Sequence, residues 1–251
     1  EAKSGLEISL LSWNVDGLDG NSHATRMLAV RKIISSISAD FVLLQEVVER
    51  DLDKLTKLNS LYDMYLSNRE AQYFTVIFVS RAFTVTSHQV FHFSNSGMGR
   101  TLQVVEGNLG PYKVFLLNTH LESMAESSSK RKEQLRECFE RMESMGREYP
   151  DALIFFGGDL NIRDNEIERV PVGVADAWMV AGSPKTEEYT WDTRTNTNKQ
   201  NPRFTARCRF DRIFFKAAPL NKVDFKLEGK SMIRTTLCYP SDHWAVHAVF
   251  S

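Results

Sequence analysis

Cysteine is scarce. Cys138, Cys208 and Cys238 are the only three in 251 residues, odd in number and without Cys-x-x-Cys spacing. That excludes a disulfide framework and a zinc-finger scaffold, and it fits a reducing compartment with unpaired, buried thiols. No run approaches the roughly 18 apolar residues of a membrane span, and no signal-peptide pattern, internal repeat, low-complexity tract or Pro/Gly/Ser-rich linker occurs. Excess charge is also missing: 31 basic against 32 acidic residues give a formal net charge of −1. This excludes a protein that coats nucleic acid by bulk electrostatics, so any such contact must come from a local patch.

What is present is core material. The chain is 42% hydrophobic and 11% aromatic, enough for one sizeable domain. We read residues 1–251 as a single catalytic domain. Because it opens at Glu1 without Met and enters a strand almost at once, we expect it to be part of a longer protein. Strand and helix periodicities alternate. Strands are expected at Ile8–Trp13, Phe41–Leu44, Tyr73–Val79, Phe83–Phe91, Leu102–Val105, Val114–Asn118, Ala152–Phe156, Phe210–Phe215 and Trp244–Phe250. Helices are expected at Thr25–Ile37, Leu52–Leu61 and Ser127–Arg147, and Pro202 marks a long loop. The pattern predicts a sandwich of mixed sheets with helices outside.

Apolar strands run repeatedly into acidic, amide or imidazole side chains: Asn14, Glu46, His120 and Asp159. One such residue is an ordinary loop residue; a series of them where strands give way to loops marks a site. Hydrolysis of a phosphodiester needs a cation on the phosphate, a base for water and donors around the developing charge. Glu46 is a hard oxygen ligand of the kind Mg²⁺ takes. Asp159 sits in Gly-Gly-Asp-Leu-Asn, and Asn161 shares its face if the strand stays extended. Asp242-His243 offers a second oxygen beside an imidazole. Singly, each motif is weak; Asp and Asn also stabilise turns, and His23, His88, His92 and His247 have no such company and are read as structural. The window Arg194, Lys199, Arg203, Arg207, Arg209, Arg212 and Lys216, with Asp211 its only acid, is read as a substrate-facing patch against the alternative of a solvated loop.

Taken together, Ser12-Trp13-Asn14-Val15-Asp16-Gly17, Leu44-Gln45-Glu46-Val47, Asn118-Thr119-His120-Leu121, Gly158-Asp159-Leu160-Asn161, Phe210-Asp211-Arg212-Ile213 and Ser241-Asp242-His243-Trp244 resemble the endonuclease/exonuclease/phosphatase family over essentially the whole chain. The resemblance implies a four-layer α/β sandwich, two facing mixed β-sheets flanked by helices, as in pancreatic-type deoxyribonuclease. His120-Leu121-Glu122-Ser123, Asn161-Ile162-Arg163-Asp164, Tyr189-Thr190-Trp191-Asp192-Thr193 and Arg209-Phe210-Asp211-Arg212 look like the tyrosyl-DNA phosphodiesterase 2 branch. That branch implies Mg²⁺-dependent removal of a topoisomerase II tyrosine from a DNA 5′ end, leaving a 5′-phosphate, as a step of DNA repair. Mn²⁺ is the expected substitute for Mg²⁺. Implied partners are 5′-phosphotyrosyl DNA ends, single-stranded 5′ overhangs, the topoisomerase peptide remnant and 5′-protein-linked RNA, with no membrane. A monomer in the nucleus, and also the cytoplasm, is implied, as is a preceding ubiquitin-binding domain in longer members.

By the same resemblance Glu46 is the principal Mg²⁺ ligand, with Asn14 and Asp242 beside it. Asp159, helped by Asn161, positions and deprotonates the water. His243, oriented by Asp211, holds a phosphate oxygen. His120 and Ser123 face the phosphate. Tyr73, Arg100, Arg163, Trp191 and Phe210 belong to the nucleic-acid groove, with Arg100 and Trp191 as a cation–π pair. Two departures stand out: Ala125 occupies the place of an arginine in vertebrate members, and Asn118-Thr119 replaces the usual pair before the histidine. The competing readings are an apurinic endonuclease or broad exonuclease, a lipid or inositol phosphatase, and an inactive nucleic-acid-binding module.

Overall fold

The computed structural model describes residues 5–201 and 203–251; the loop marker Pro202 lies outside them. The elements in chain order are β1 (Ile8–Asn14), α1 (His23–Ile37), β2 (Phe41–Val47), α2 (Leu52–Leu55), β3 (Tyr62–Leu66), β4 (Phe74–Ser80), β5 (Phe83–His92), β6 (Thr101–Leu109), β7 (Tyr112–His120), α3 (Ser128–Glu148) and β8 (Leu153–Asp159). Then follow β9 (Ala175–Asp176), α4 (Ala177–Val180), β10 (Trp191–Asp192), β11 (Arg207–Cys208), β12 (Asp211–Lys216), β13 (Val223–Glu228) and β14 (Ala245–Phe250). One six-stranded sheet has the order β13-β14-β1-β2-β4-β3, the other β5-β6-β7-β8-β12-β9, and β10-β11 is a separate two-stranded ribbon. Among the described residues no helix is long and apolar enough to cross a membrane.

Central strands are apolar on both faces because each sheet is covered twice. Ile8, Leu10, Phe41 and Leu43 of the first sheet meet Val114, Leu116, Leu153, Phe155, Ile213 and Phe215 of the second in the core between the sheets. The alternate residues Leu11, Trp13, Val42 and Leu44 face outward onto Met27, Val30 and Ile34 of α1. Likewise Phe115, Leu117, Ile154 and Phe156 pack under Leu135, Phe139 and Met142 of α3. The expected sandwich with helices outside is therefore observed. Helix α3 stops at Tyr149, whose successor Pro150 disfavours helical backbone at the residue before it.

The second helix differs from expectation. α2 covers only Leu52–Leu55, and Thr56–Ser60 forms a 3₁₀ turn. Thr56 Oγ1 donates to the Asp53 carbonyl at 3.2 Å, the kind of side-chain competition that makes such residues poor helix propagators. Among the thiols, Cys138 is buried as expected, whereas Cys208 and Cys238 are half-buried.

Polar stitches join the two sheets near one end. Fully buried Asn118 on β7 donates through Nδ2 to the carbonyls of Leu44 (3.0 Å) and Val76 (3.1 Å), and its Oδ1 accepts from Gln45 Nε2 (2.9 Å). Removing that amide strands groups on two strands of the opposite sheet, β2 and β4. Asn118→Ala is therefore expected to lower unfolding free energy by about 2–3 kcal/mol in urea titration; a loss under about 1 kcal/mol would show that the stitch carries little.

Candidate active site

The inward phase of the central strands continues past the core. On β1 the inner positions Ile8 and Leu10 lead to Asn14; on β7, Val114 and Leu116 lead to Asn118 and His120; on β8, Leu153 and Phe155 lead to Asp159. β1 runs parallel to β2, with Asn14 opposite Gln45, and β7 parallel to β8, with His120 opposite Asp159. Antiparallel β12 begins where β8 ends, with Asp211 opposite Asp159. Alternation thus delivers amide, imidazole and carboxylate groups into the space between the sheets at a single end.

Two backbone features aim the remaining groups. β2 is bulged between Leu44 and Val47, and Glu46 within that bulge has φ +56°. A non-glycine residue in this region is costly and needs support from its surroundings. Support comes from Gly17, whose N–H donates to the Glu46 carbonyl at 3.0 Å; a Cβ on Gly17 would lie 2.2 Å from that oxygen. In β8, Gly158 has φ +141° and lies so close to Thr119 that a Cβ would sit 1.9 Å from its carbonyl. This lets β7 and β8 hold His120 against Asp159.

Every candidate side chain except Asp211 lines one open cleft, together with Leu18, Met124, Ala125, Phe204, Ala206 and Cys208. Asp211 lies beneath, buried behind His243. Asn14 Nδ2 donates to Asp159 Oδ2 (2.9 Å) and Glu46 Oε2 (3.3 Å). Asp159 Oδ2 is also 3.3 Å from His120 Nε2 and 3.7 Å from His243 Nε2. Asp211 Oδ2 accepts from His243 Nδ1 at 2.8 Å and from the Thr190 hydroxyl. Thr190, within the Tyr-Thr-Trp box, has no role in the reading from sequence.

Burial opposes charge here; it prevails at Asp211, whose pKa it raises, but not at Asp159 or His243. For Asp159, desolvation is outweighed by the His243 charge and by hydrogen bonds from His120 and Asn14, which hold its carboxyl well below the usual range. For His243, desolvation is outweighed by Asp211, Asp159 and Asp242, which raise its pKa well above the ordinary imidazole value. The ring is thus an imidazolium with Nδ1 bound to Asp211 and Nε2 turned toward Asp159.

Two carboxylate groupings compete for a divalent cation. Asp159, Asp211 and His243 bring ligand atoms within 4.8 Å of one another. However, His243 already occupies that grouping, its Nδ1 2.8 Å from Asp211 and its Nε2 3.7 Å from Asp159. Glu46 and Asp242 line the open cleft, with the Asn14 amide 3.3 Å from Glu46 Oε2, and Asp16 lies near enough to feel both charges. Asp16 is pushed up to about 7, first by burial and then by the charge of Asp242, with Glu46 adding to it. Its buried Oδ2 has Lys199 Nζ 3.2 Å away but accepts no well-aligned hydrogen bond. Mutual repulsion among hard oxygens is what a divalent cation relieves, so these residues fit one.

Several expectations need correction. Arg100 does not stack on Trp191. Its guanidinium lies 5.1 Å from the Tyr73 ring centroid and donates to Ser123 Oγ at 3.0 Å. Trp191 instead packs on Phe210 at 5.7 Å and donates to Asp242 Oδ2 at 3.3 Å; each group has a nearer partner on its own side of the cleft. Nor does Asn161 share the face of Asp159, because the strand ends at Asp159 and Asn161 turns to φ +50°. Its backbone N–H donates to Asp159 Oδ1 (3.1 Å), while its side chain donates to the Leu121 carbonyl (3.0 Å).

The basic window is not a substrate-facing stripe. Arg207 pairs with Asp192 (3.0 Å), Arg209 with Asp176 (2.7 Å), Arg212 with Asp164 (2.8 Å) and Lys199 with Asp16 (3.2 Å). These acids are distant in sequence or just outside the window, so the pairing is invisible in it. From this stretch the cleft receives Phe204, Ala206, Cys208 and Phe210, with Trp191 beside them. The basic groups lining the cleft are Arg100 and Arg163, the latter 5.3 Å from the Phe210 centroid. Ala125 lies at the rim.

Two facing sheets carrying this polar cluster at one end define a class. The chain belongs to the Endonuclease/Exonuclease/phosphatase family, whose model matches residues 11–243. Within it, the chain is 52% identical over 250 residues to a 5′-tyrosyl-DNA phosphodiesterase of Caenorhabditis elegans, covering 100% of this chain and 68% of that protein. The crystal structure of truncated C. elegans TDP2 superposes with TM-score 0.95 at 53% identity, over 98% of both chains. D. rerio TDP2 complexed with single strand DNA product superposes with TM-score 0.90 at 32% identity, over 98% of this chain and 99% of that one. The resemblance seen in the motifs and the four-layer fold are both borne out.

The raised pKa of His243 has a definite sign. A folded value above the unfolded one, about 6.5, means the ion pair stabilises fully below that pH and fades as pH rises through the folded value. In chelator-treated protein the His243 ring is expected to stay protonated above the ordinary imidazole range by imidazole ¹⁵N NMR. A neutral ring at pH 7 would contradict the electrostatics above.

Proposed function

We propose that this protein is a Mg²⁺-dependent 5′-tyrosyl-DNA phosphodiesterase that hydrolyses the bond between a topoisomerase II tyrosine and a DNA 5′ end. One observation carries the reading: Glu46, Asp242, Asn14, Asp159, His120 and His243 meet in one cleft beside an aromatic wall. The relatives support the choice of substrate. Glu46 and Asp242, with Asn14 alongside, would hold the Mg²⁺, which when bound neutralises phosphate charge; Mn²⁺ is the expected substitute.

The residues then divide the work. Asp159 and the Asn14 amide orient the attacking water, whose oxygen forms the new bond to phosphorus. A carboxylate of such low pKa is a weak base. It accepts the proton late, which suits a loose phosphoryl transition state with little need for early deprotonation. The His243 imidazolium and His120 donate to non-bridging oxygens. The phosphorus–phenol oxygen bond breaks, the DNA keeps a 5′-phosphate, and the phenolate is protonated by solvent. With a phenol pKa of roughly 10, no dedicated general acid is needed. Tyr73, Arg100, Ser123, Arg163, Trp191 and Phe210 seat a single-stranded 5′ overhang, and the open side admits a peptide remnant. DNA repair in the nucleus, with a cytoplasmic fraction, action as a monomer and action on 5′-protein-linked RNA belong to the same proposal, as does a longer parent chain with an N-terminal ubiquitin-binding domain.

A 5′-phosphotyrosyl oligonucleotide should be cleaved in Mg²⁺, and the reaction should stop in excess chelator. Preference for an abasic duplex would instead favour the apurinic endonuclease reading. Asp159→Asn should lower kcat by about two to four orders of magnitude while oligonucleotide affinity stays near the starting value. Near-normal turnover in that variant would remove Asp159 from the reaction.

A further inference from the structure

Glu122 is the one polar member of the His120-Leu121-Glu122-Ser123 box that does not line the cleft. It is 1% exposed and held by two fully buried residues of α3. Gln134 Oε1 accepts from its backbone N–H (3.0 Å), Gln134 Nε2 donates to its Oε2 (3.2 Å), and Arg131 Nη1 donates to its carbonyl (2.8 Å). Its carboxylate meets the turn between β5 and β6. Ser96 Oγ donates to Oε2 (2.7 Å) and the Gly97 N–H to Oε1 (2.8 Å).

Burial opposes the charge of Glu122, but the bonds from Ser96, Gly97 and Gln134 and the Arg100 charge outweigh it and hold its pKa below the usual range. An ionised carboxylate only accepts, so the Ser96 hydroxyl must point its proton there. The lone pairs of that hydroxyl are left for the N–H groups of Met98 (3.2 Å) and Arg100 (2.9 Å). A chain of hydrogen bonds therefore runs from α3 through Glu122 and Ser96 to the backbone of Arg100.

Arg100 needs such an anchor. It lines the cleft although only 6% exposed. Among the described residues its guanidinium makes no ion pair; it touches Ser123 Oγ, Met98 Sδ and the Tyr73 ring, and Nε and Nη1 have no hydrogen-bond partner. A direct bond from Glu122 would neutralise the charge that a phosphate must meet. A bond to the backbone fixes the position and leaves the charge available.

We infer that Glu122 is a positioning residue, which through Ser96 fixes Arg100 at the cleft wall without pairing with its guanidinium. The inference rests on the place given to Arg100 in the substrate groove under the proposed function. A residue that merely stabilises the fold and one that acts through Arg100 differ in how their loss combines with the loss of Arg100. General damage adds to it. Lost positioning is masked, because nothing remains to be positioned.

The test is fluorescence anisotropy with a 5′-phosphorylated single-stranded oligonucleotide, a readout that needs no turnover. Arg100→Ala is expected to weaken binding about tenfold. Glu122→Gln and Ser96→Ala should each weaken it about threefold to tenfold. Ser96→Thr, which keeps the hydroxyl, should bind like the starting chain. In the Arg100→Ala background, Glu122→Gln or Ser96→Ala should change affinity by less than about twofold; Ser96→Ala leaves the α3 contacts of Glu122 in place and carries the test if Glu122→Gln fails to fold. Additive losses, unchanged affinity in Ser96→Ala, or a Ser96→Thr variant as weak as Ser96→Ala overturns the inference. Unchanged binding by Arg100→Ala removes the groove assignment and the inference with it. The expected coupling without hydrolysis of a 5′-phosphotyrosyl oligonucleotide would sink the enzymatic reading and leave the role of Glu122 standing.

Discussion

Side-chain alternation along strands that are buried on both faces is the constraint from which the rest of the molecule follows. Ile8 and Leu10, Val114 and Leu116, and Leu153 and Phe155 commit one phase of β1, β7 and β8 to the core between the sheets. The other phase is committed equally firmly to the outer helices. Neither phase can slip by one residue without turning an apolar face to the wrong layer. Asn14, His120 and Asp159 inherit their direction from that commitment. Parallel pairing of β1 with β2 and of β7 with β8 then brings the strand ends to the same side. The site is an extension of the core, with polar groups where the apolar ones end.

A buried cluster of this kind is stable only if its charges answer one another. His243 is the centre of that balance. Its imidazolium answers Asp211 directly and lies near Asp159 and Asp242. The Thr190 hydroxyl and the Asn14 amide take up further lone pairs on the two buried acids. A carboxylate kept ionised in this way orients water well, and an imidazolium kept charged in this way meets phosphate oxygen well. The same interactions that make the buried charges tolerable therefore set the chemistry. Among the described residues Glu46 has no cationic side chain within 4.0 Å, and with Asp242 it lines the open cleft, which is the property a cation site needs.

Much of this was legible in the chain. Continuous apolar runs such as Phe41-Val42-Leu43-Leu44 and Leu153-Ile154-Phe155-Phe156 announce strands covered on both faces, and the polar residues closing them are the site residues. The boxes around His120, Asp159, Asp211 and His243 carried the family. Other features depend on contacts that no local pattern encodes. Arg100 found Tyr73, and the arginines of the basic window found Asp164, Asp176 and Asp192, because folding brought those partners closer. Leu18, Met124 and Phe204 reach the cleft from loops, where an exposed apolar residue carries no signal of its own. The strand β13 is a different case. Val223, Phe225 and Leu227 alternate cleanly with exposed neighbours, a signal that was present and that the polar flanks obscured.

The central claim is that the strand ends gather around one cation held by Glu46 and Asp242, with His243 kept apart as an imidazolium. Anomalous diffraction from crystals grown with Mn²⁺ tests it most directly. The account predicts a single peak at ligand distance from Glu46, on the Asp242 side of the cleft, with the Asp211–His243 hydrogen bond intact. A peak seated instead among Asp159, Asp211 and His243 would contradict it.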